Sequence, residues 1–207
     1  MDVSLRAKLL AAVLASASTS TLTAPTTGPE APVAHSEHLA TRKGPAVDEE
    51  SDPPLLATLA QVHGPRGAPE RVPLDTEVPS QARFDALLGD RATGENHPLD
   101  EHLLALLRQL AEQHPGSRIE LVSGYRSWKL NEMLRKKGHH VASHSQHSLG
   151  KACDFRIVPP GADLAIDPRV VEQEIRKLGW EGGVGVYPTT ADWFVHADVG
   201  PNRAWTN

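Results

Sequence analysis

Only one cysteine, Cys153, occurs in 207 residues, so the chain closes no disulfide on itself. Aromatic side chains are scarce, 4% of the total, and none precedes Phe84. All four tryptophans, Trp128, Trp180, Trp193 and Trp205, fall in the second half. Hydrophobic residues make up 39%, lean for a chain packed throughout. The core is therefore expected in the second half, where roughly 150 residues suffice to bury one without staples. No apolar run approaches the ~20 residues that a membrane-spanning helix requires. No transmembrane segment is expected. Positive charge is not in excess either: the formal net charge is -5. Nucleic acid is thus excluded as an expected partner, because it calls for a basic patch.

The first residues carry a different signal. Arg6 and Lys8 precede a short apolar run, Leu9 to Ala15, and Ala15-Ser16-Ala17 fits a small-residue cleavage site. Leu22-Thr23-Ala24 offers a second. Residues 1–24 are read as an export signal, the alternative being a plain disordered tail. No cysteine stands near the cleavage sites to carry a lipid anchor. Residues 25–54 are rich in Pro, Thr, Ala and acid with no apolar period, so they cannot offset their ordering entropy. They read as a disordered linker. Residues 55–207 remain as one folded domain.

Within that domain, Val62-His63-Gly64-Pro65-Arg66-Gly67 reads as a turn between two short strands. Asp100 caps a helix running to Gln113, with Leu103, Leu104, Leu107, Leu110 and Ala111 at helical spacing. Ile119 to Ser123 alternates as a strand does. Ser127 caps a second helix, with Leu130, Met133 and Leu134 turned inward and Gly138 as its stop. Ala152 to Ile157 is expected to be a strand with Cys153, Phe155 and Ile157 toward the core and Ala152 and Asp154 on the other face. Asp167-Pro168 opens a third helix, which ends before Gly179. Trp193 to Val199 reads as a last strand, with Phe194, His196 and Asp198 on one face. Gly182-Gly183-Val184-Gly185 lacks the Lys-Ser/Thr of a P-loop and reads as a tight cleft wall. The expected class is α+β: a small antiparallel sheet backed by helices.

One stretch carries the chemistry: Ser145-Gln146-His147-Ser148-Leu149-Gly150-Lys151-Ala152-Cys153-Asp154, followed by Phe194-Val195-His196-Ala197-Asp198. Two histidines and a carboxylate meet the need of a catalytic zinc centre, which keeps a further position open. On a single helix His147 and Asp154 would stand roughly 10 Å apart in rise, too far to share an ion. A turn at Gly150 instead brings His147 back beside the strand bearing Asp154. The plain alternative for His196 is a hydrogen-bonded core histidine. Cys153 points to the opposite face and reads as a small core residue. Ser145 lacks a His-Asp pair to activate it and reads as a support for the turn. His144 is a candidate for the cleft lining, while His139 and His140 read as solvated loop.

The first stretch resembles the Ser-x-His-x-x-Gly-x-Ala-x-Asp signature of the zinc D-Ala-D-Ala metallopeptidases, which share a fold with lysostaphin-type peptidases and the hedgehog signalling domain. The resemblance is nearest to the branch containing murein endopeptidase K. It extends through Asp90-Arg91-Ala92-Thr93-Gly94-Glu95-Asn96-His97-Pro98-Leu99-Asp100, Ser123-Gly124-Tyr125-Arg126-Ser127, Gly182-Gly183-Val184-Gly185-Val186-Tyr187-Pro188, and Phe194 to Gly200 with Arg203 and Trp205. These segments occur in family order over roughly residues 55–207.

The resemblance implies His147, Asp154 and His196 as zinc ligands, and peptidoglycan stem peptides or cross-links as substrate. The implied activity is that of an exported murein endopeptidase using a metal-activated water. Its implied place is the periplasm or cell envelope. A carboxypeptidase acting on stem peptides, a hydrolase of other D-amino-acid peptides, and a non-catalytic zinc-stabilised wall-binding or signalling module are the rivals. Arg126 is the candidate for binding an oxyanion or a substrate carboxylate, since its planar fork suits both. The general base departs from pattern. Related carboxypeptidases carry an acid three residues before the last zinc histidine, where this chain has Trp193. Asp192, one residue earlier, is expected to turn to the other face. Asp198 is expected to reach the metal's water, the alternative being a carboxylate that orients a histidine ligand.

Overall fold

The computed structural model describes residues 54–63, 69–138 and 142–207. The expected signal, all of the expected linker but its last residue, most of the turn around residues 64–67, and His139 and His140 lie outside the described residues. Seven strands are present: β1 (Ala57–Gln61), β2 (Glu70–Leu74), β3 (Ser117–Ser123), β4 (Ala152–Val158), β5 (Gly183–Pro188), β6 (Trp193–Asp198) and β7 (Arg203–Thr206). Four helices accompany them: α1 (Gln81–Leu87), α2 (Glu101–Gln113), α3 (Trp128–Lys136) and α4 (Pro168–Lys177). Among the described residues no helix is long and apolar enough to cross a membrane.

The strands form one sheet in the order β2-β1-β3-β4-β6-β5-β7. The α+β expectation is met in class, but the sheet is neither small nor wholly antiparallel. Strands β1 and β3 pair in parallel, as do β5 and β7. The first parallel pair is allowed by the long connection through β2, α1 and α2, since parallel neighbours need a crossover. The second arises because residues 199–202 carry the chain past the end of β5 and lay β7 on its outer edge.

Alternation along the strands divides the sheet into two faces. Ile119, Leu121, Cys153, Phe155, Ile157, Val184, Val195 and Ala197 join one buried cluster with the α2 leucines and with Val171 and Ile175 of α4. The helix assignments hold at their caps: the Asp100, Ser127 and Asp167 side chains accept from the backbone N–H groups of His102, Leu130 and Arg169. Met133 does not turn inward as its spacing suggested; it is exposed, and the inner face of α3 is made by Leu130, Asn131 and Leu134. The segment from Gly183, expected as a tight cleft wall, is a paired strand.

The opposite face carries the polar row. Asp154 lies across from His196 on β6, His196 from Gly185 on β5, and Gly185 from Trp205 on β7. A register shift between Leu121 and Ser123 brings Ser123 opposite Asp154. Such a bulge re-aims side chains locally. Five strands thus present one line of residues at the same height, and the candidate site is built on it.

Candidate metal centre

His147 enters from a short 3-10 turn, Gln146–Leu149, that closes at Gly150 in the left-handed region, φ 68°. Only glycine fits here with ease: φ is positive, and a side chain would run into the Pro98 carbonyl and the His97 ring. The turn folds His147 back over β4. Its ring is pinned from behind, because Nδ1 lies 2.7 Å from the Gly124 carbonyl oxygen. Carbonyls only accept, so Nδ1 carries the proton and Nε2 presents a lone pair.

His196 is held by the same logic with the nitrogens exchanged. Its Nε2 lies 2.9 Å from Asp198 Oδ2. That carboxylate also accepts from Arg203 at 2.8 Å and, through Oδ1, from the Gly200 backbone N–H at 2.8 Å. Nε2 therefore donates to Asp198, which leaves the lone pair of Nδ1 for the centre.

The two free nitrogens meet Asp154. His147 Nε2 and His196 Nδ1 are 3.1 Å apart, and Asp154 Oδ1 is 3.2 Å from the first and 2.8 Å from the second. All three residues are buried, and their ligand atoms lie within 4.8 Å of one another, the one group of this kind among the described residues. Three lone-pair donors so close repel unless a proton or a cation lies between them. Burial, with Arg126 adding to it, pulls the His147 imidazole down to about 4, so a second proton on that ring is disfavoured at neutral pH. Asp154 is held well below the usual carboxylate range: burial alone would raise it, but His147 and Arg126 outweigh that. Burial likewise opposes charging of His196, yet the hydrogen bonds to Asp154 and Asp198 raise it overall. Two imidazole nitrogens and one carboxylate oxygen, buried and back-braced, suit a borderline divalent ion such as zinc.

Arg126 stands behind the acid. Its guanidinium donates to Asp154 Oδ2 at 2.5 Å and to Ser123 Oγ at 2.9 Å. The arginine thus offsets the charge of Asp154 and still lines the cleft. The loop that carries it is fixed by Asp90, a fully buried carboxylate that accepts from the Ser127 backbone N–H at 2.6 Å and from those of Ala92 and Thr93.

Asp198, expected to reach the centre, is instead found bonded to the far side of the His196 ring. It lies across the His196 ring from the centre, with its oxygens already engaged by His196, Arg203 and Gly200. The alternation that put it on the correct face said nothing of depth. Asp192 departs from expectation in the opposite sense, since it sits at the cleft rather than on the far face. It shares the parity of Phe194 and His196 and precedes β6 by one residue, so it opens toward the same side. Trp193 points away, its Nε1 donating to the Ala165 carbonyl at 3.2 Å.

The cleft over this row measures about 810 Å³. His144 lines it, as does an aromatic wall that the sequence reading missed. Tyr187 stacks on Phe194 with centroids 4.5 Å apart, and Trp205 leans on His196 at 5.2 Å. The missed signal was the alternation of small and branched residues from Gly183 to Tyr187, which places Tyr187 on the face of Gly185. Gly185 in turn leaves room for the Trp205 ring, which any side chain at that position would strike.

Residues 76–205 match a family model described as peptidoglycan L,D-endopeptidase MepK. The probable peptidoglycan L,D-endopeptidase MepK of Haemophilus influenzae is 37% identical over 126 residues, covering 59% of this chain and 62% of that protein. The peptidoglycan L,D-endopeptidase MepK of Escherichia coli K12 is 41% identical over 90 residues, covering 42% of this chain and 43% of that protein. The match therefore spans less than two thirds of the length of these relatives. No solved structure matches the chain.

Proposed function

This chain belongs to the peptidoglycan L,D-endopeptidase MepK family, and on that premise we propose that it is an exported, zinc-dependent murein endopeptidase that hydrolyses peptide cross-links. The observation that carries the reading is the pair of imidazole lone pairs aimed at Asp154, each fixed by an acceptor behind its ring. Zinc held there supplies Lewis acidity and a water acidified to near neutral pH. His147, Asp154 and His196 are the residues that would hold it.

The remaining side chains divide the work. Asp198 orients His196 and keeps its proton on Nε2. Arg126 uses two donors on Ser123 and Asp154. Its other donors are available to the carboxylates of a stem peptide or to the oxygen of an attacked carbonyl. Asp192 is the cleft carboxylate without a role in ligation, and it is our candidate to take and return the proton. The signal and the linker reading of residues 1–54 fit an envelope substrate. The aromatic wall gives the peptide backbone a flat surface to lie against.

The absence of an acid at position 193 keeps one rival in view, a zinc-stabilised wall-binding module that does not cut. Purified sacculi distinguish the two. The enzyme reading expects bound zinc and new muropeptide termini by mass, both lost in His147→Ala. Zinc-replete protein that binds sacculi and releases no product would leave the binding module as the better description.

A further inference from the structure

Tyr187 has no part in ligation, yet its placement is as controlled as that of the ligands. It stands on β5 two residues from Gly185, the direct neighbour of His196, and on the same face. Adjacent strands lie about 4.8 Å apart, so the tyrosine borders the row from the side opposite Arg126, which follows β3. Stacking on Phe194, with an interplanar angle of 17°, holds the ring. The hydroxyl oxygen accepts from Trp205 Nε1 at 3.3 Å. Indole N–H groups only donate, so the phenol proton must point elsewhere. Among the described residues the protein offers it no acceptor, and the residue lines the cleft.

We propose that the Tyr187 hydroxyl is a catalytic hydrogen-bond donor to the carbonyl oxygen of the scissile peptide, with Trp205 as its positioning residue. A donor held in advance by Phe194 and Trp205, in the cleft that Arg126 also lines, costs no reorganisation as the oxygen gains charge. Donation from the indole to the phenol oxygen polarises the O–H bond and strengthens its own donation. The group remains a donor at neutral pH: burial raises the phenol and Asp154 pushes the same way, against the lowering by Trp205 and Arg126. The bond is strongest where charge develops, so its loss acts on turnover more than on binding.

This inference rests on the proposed hydrolase reading, and the test separates the two. Full-length wild type, Tyr187→Phe and Trp205→Phe are zinc-loaded and compared on cross-linked muropeptides. Phenylalanine keeps the stack on Phe194, so zinc content and thermal midpoint should match wild type. The expected result is a fall in kcat of about 10²-fold for Tyr187→Phe, with KM within about twofold, and a smaller fall for Trp205→Phe. Unchanged kcat in Tyr187→Phe overturns the inference and leaves the hydrolase reading standing. If wild type cuts nothing, the hydrolase reading fails, and acetohydroxamate binding by calorimetry decides the donor role. About tenfold weaker binding to Tyr187→Phe supports an anion-directed donor; equal binding overturns it.

Discussion

The His196 ring stands between Asp198 and Asp154, 2.9 Å from the first through Nε2 and 2.8 Å from the second through Nδ1. One imidazole therefore separates the buried carboxylate of β6 from the centre. Asp198 is thus placed to fix the tautomer of His196 from behind its ring.

Asp198→Asn should accordingly behave as a metal-affinity variant. Carboxylates behind ligating histidines typically contribute 10–100-fold to affinity or activity. Zinc affinity should fall by about that factor, and activity should return as free zinc is raised. Competition with a chelator measures the first, and a zinc titration of activity the second. A rate that stays low in the fully loaded variant would show a direct role for Asp198 in proton transfer.

Metal should also stabilise the fold, because the three ligands come from a turn and two strands that only the folded chain brings together. Ligand linkage amounts to about 4 kcal/mol at a thousandfold excess over Kd. For a domain of this size that corresponds to a rise in Tm of very roughly 10 °C. Chelator should reverse the rise, and His147→Ala should show none. Differential scanning calorimetry with and without zinc checks both.

Much of this architecture was legible in the sequence, for reasons that differ by element. Helix α2 announced itself because Asp100 caps a run of leucines at a spacing that only a helix can bury. The convergence of His147 and Asp154 was readable because Gly150 can take a positive φ between them. The parallel pairings were not readable, since they depend on how distant segments meet and not on any local pattern. The contacts of Asp198 behind His196 and the cleft position of Asp192 were not readable for a related reason. Strand parity reports the face, but the depth of a carboxylate depends on Arg203 and Gly200, which the chain supplies after the strand has ended. Tyr187 was hidden by its glycines, which look like loop residues until Trp205 is seen lying against Gly185.

Glu120 offers a pH-dependent test away from the centre. It accepts from Arg118 at 2.9 Å and from Arg156 at 2.6 Å. Burial raises its pKa, but the two arginines more than compensate, so the folded value is lowered. A lowered carboxylate stabilises the fold above its unfolded pKa of about 4.3, and that contribution is lost as pH falls through the folded value. Glu120→Gln should therefore be less stable than wild type at pH 7, and the gap should close as pH drops below 4. Parallel urea titrations across that range give the comparison, and a gap independent of pH would assign the loss to packing.

Gly185→Ala tests the close approach of Trp205. A Cβ would meet the indole ring at a distance no real side chain tolerates, so β7 must shift outward or the ring must turn. Overpacking of this kind costs about 1–3 kcal/mol, or a fall in Tm of roughly 3–10 °C. Because Trp205 leans on His196 and donates to Tyr187, turnover should fall as well, while zinc content is retained. Calorimetry, metal analysis and a turnover assay separate these effects.

Asp192→Asn separates the proton-transfer role from every ligand effect. The side chain is exposed at the cleft and has no place in the three-residue group, so zinc content and stability should match wild type. If it takes the proton from the attacking water, kcat on cross-linked muropeptides should fall by about 10²–10⁴-fold, and the acid limb of the pH–rate profile should change with it. Raising free zinc should restore nothing, the reverse of the behaviour expected of Asp198→Asn. A variant with wild-type turnover would remove Asp192 from the mechanism and turn attention to His63 and His144, the other imidazoles in the cleft lining outside the three-residue group.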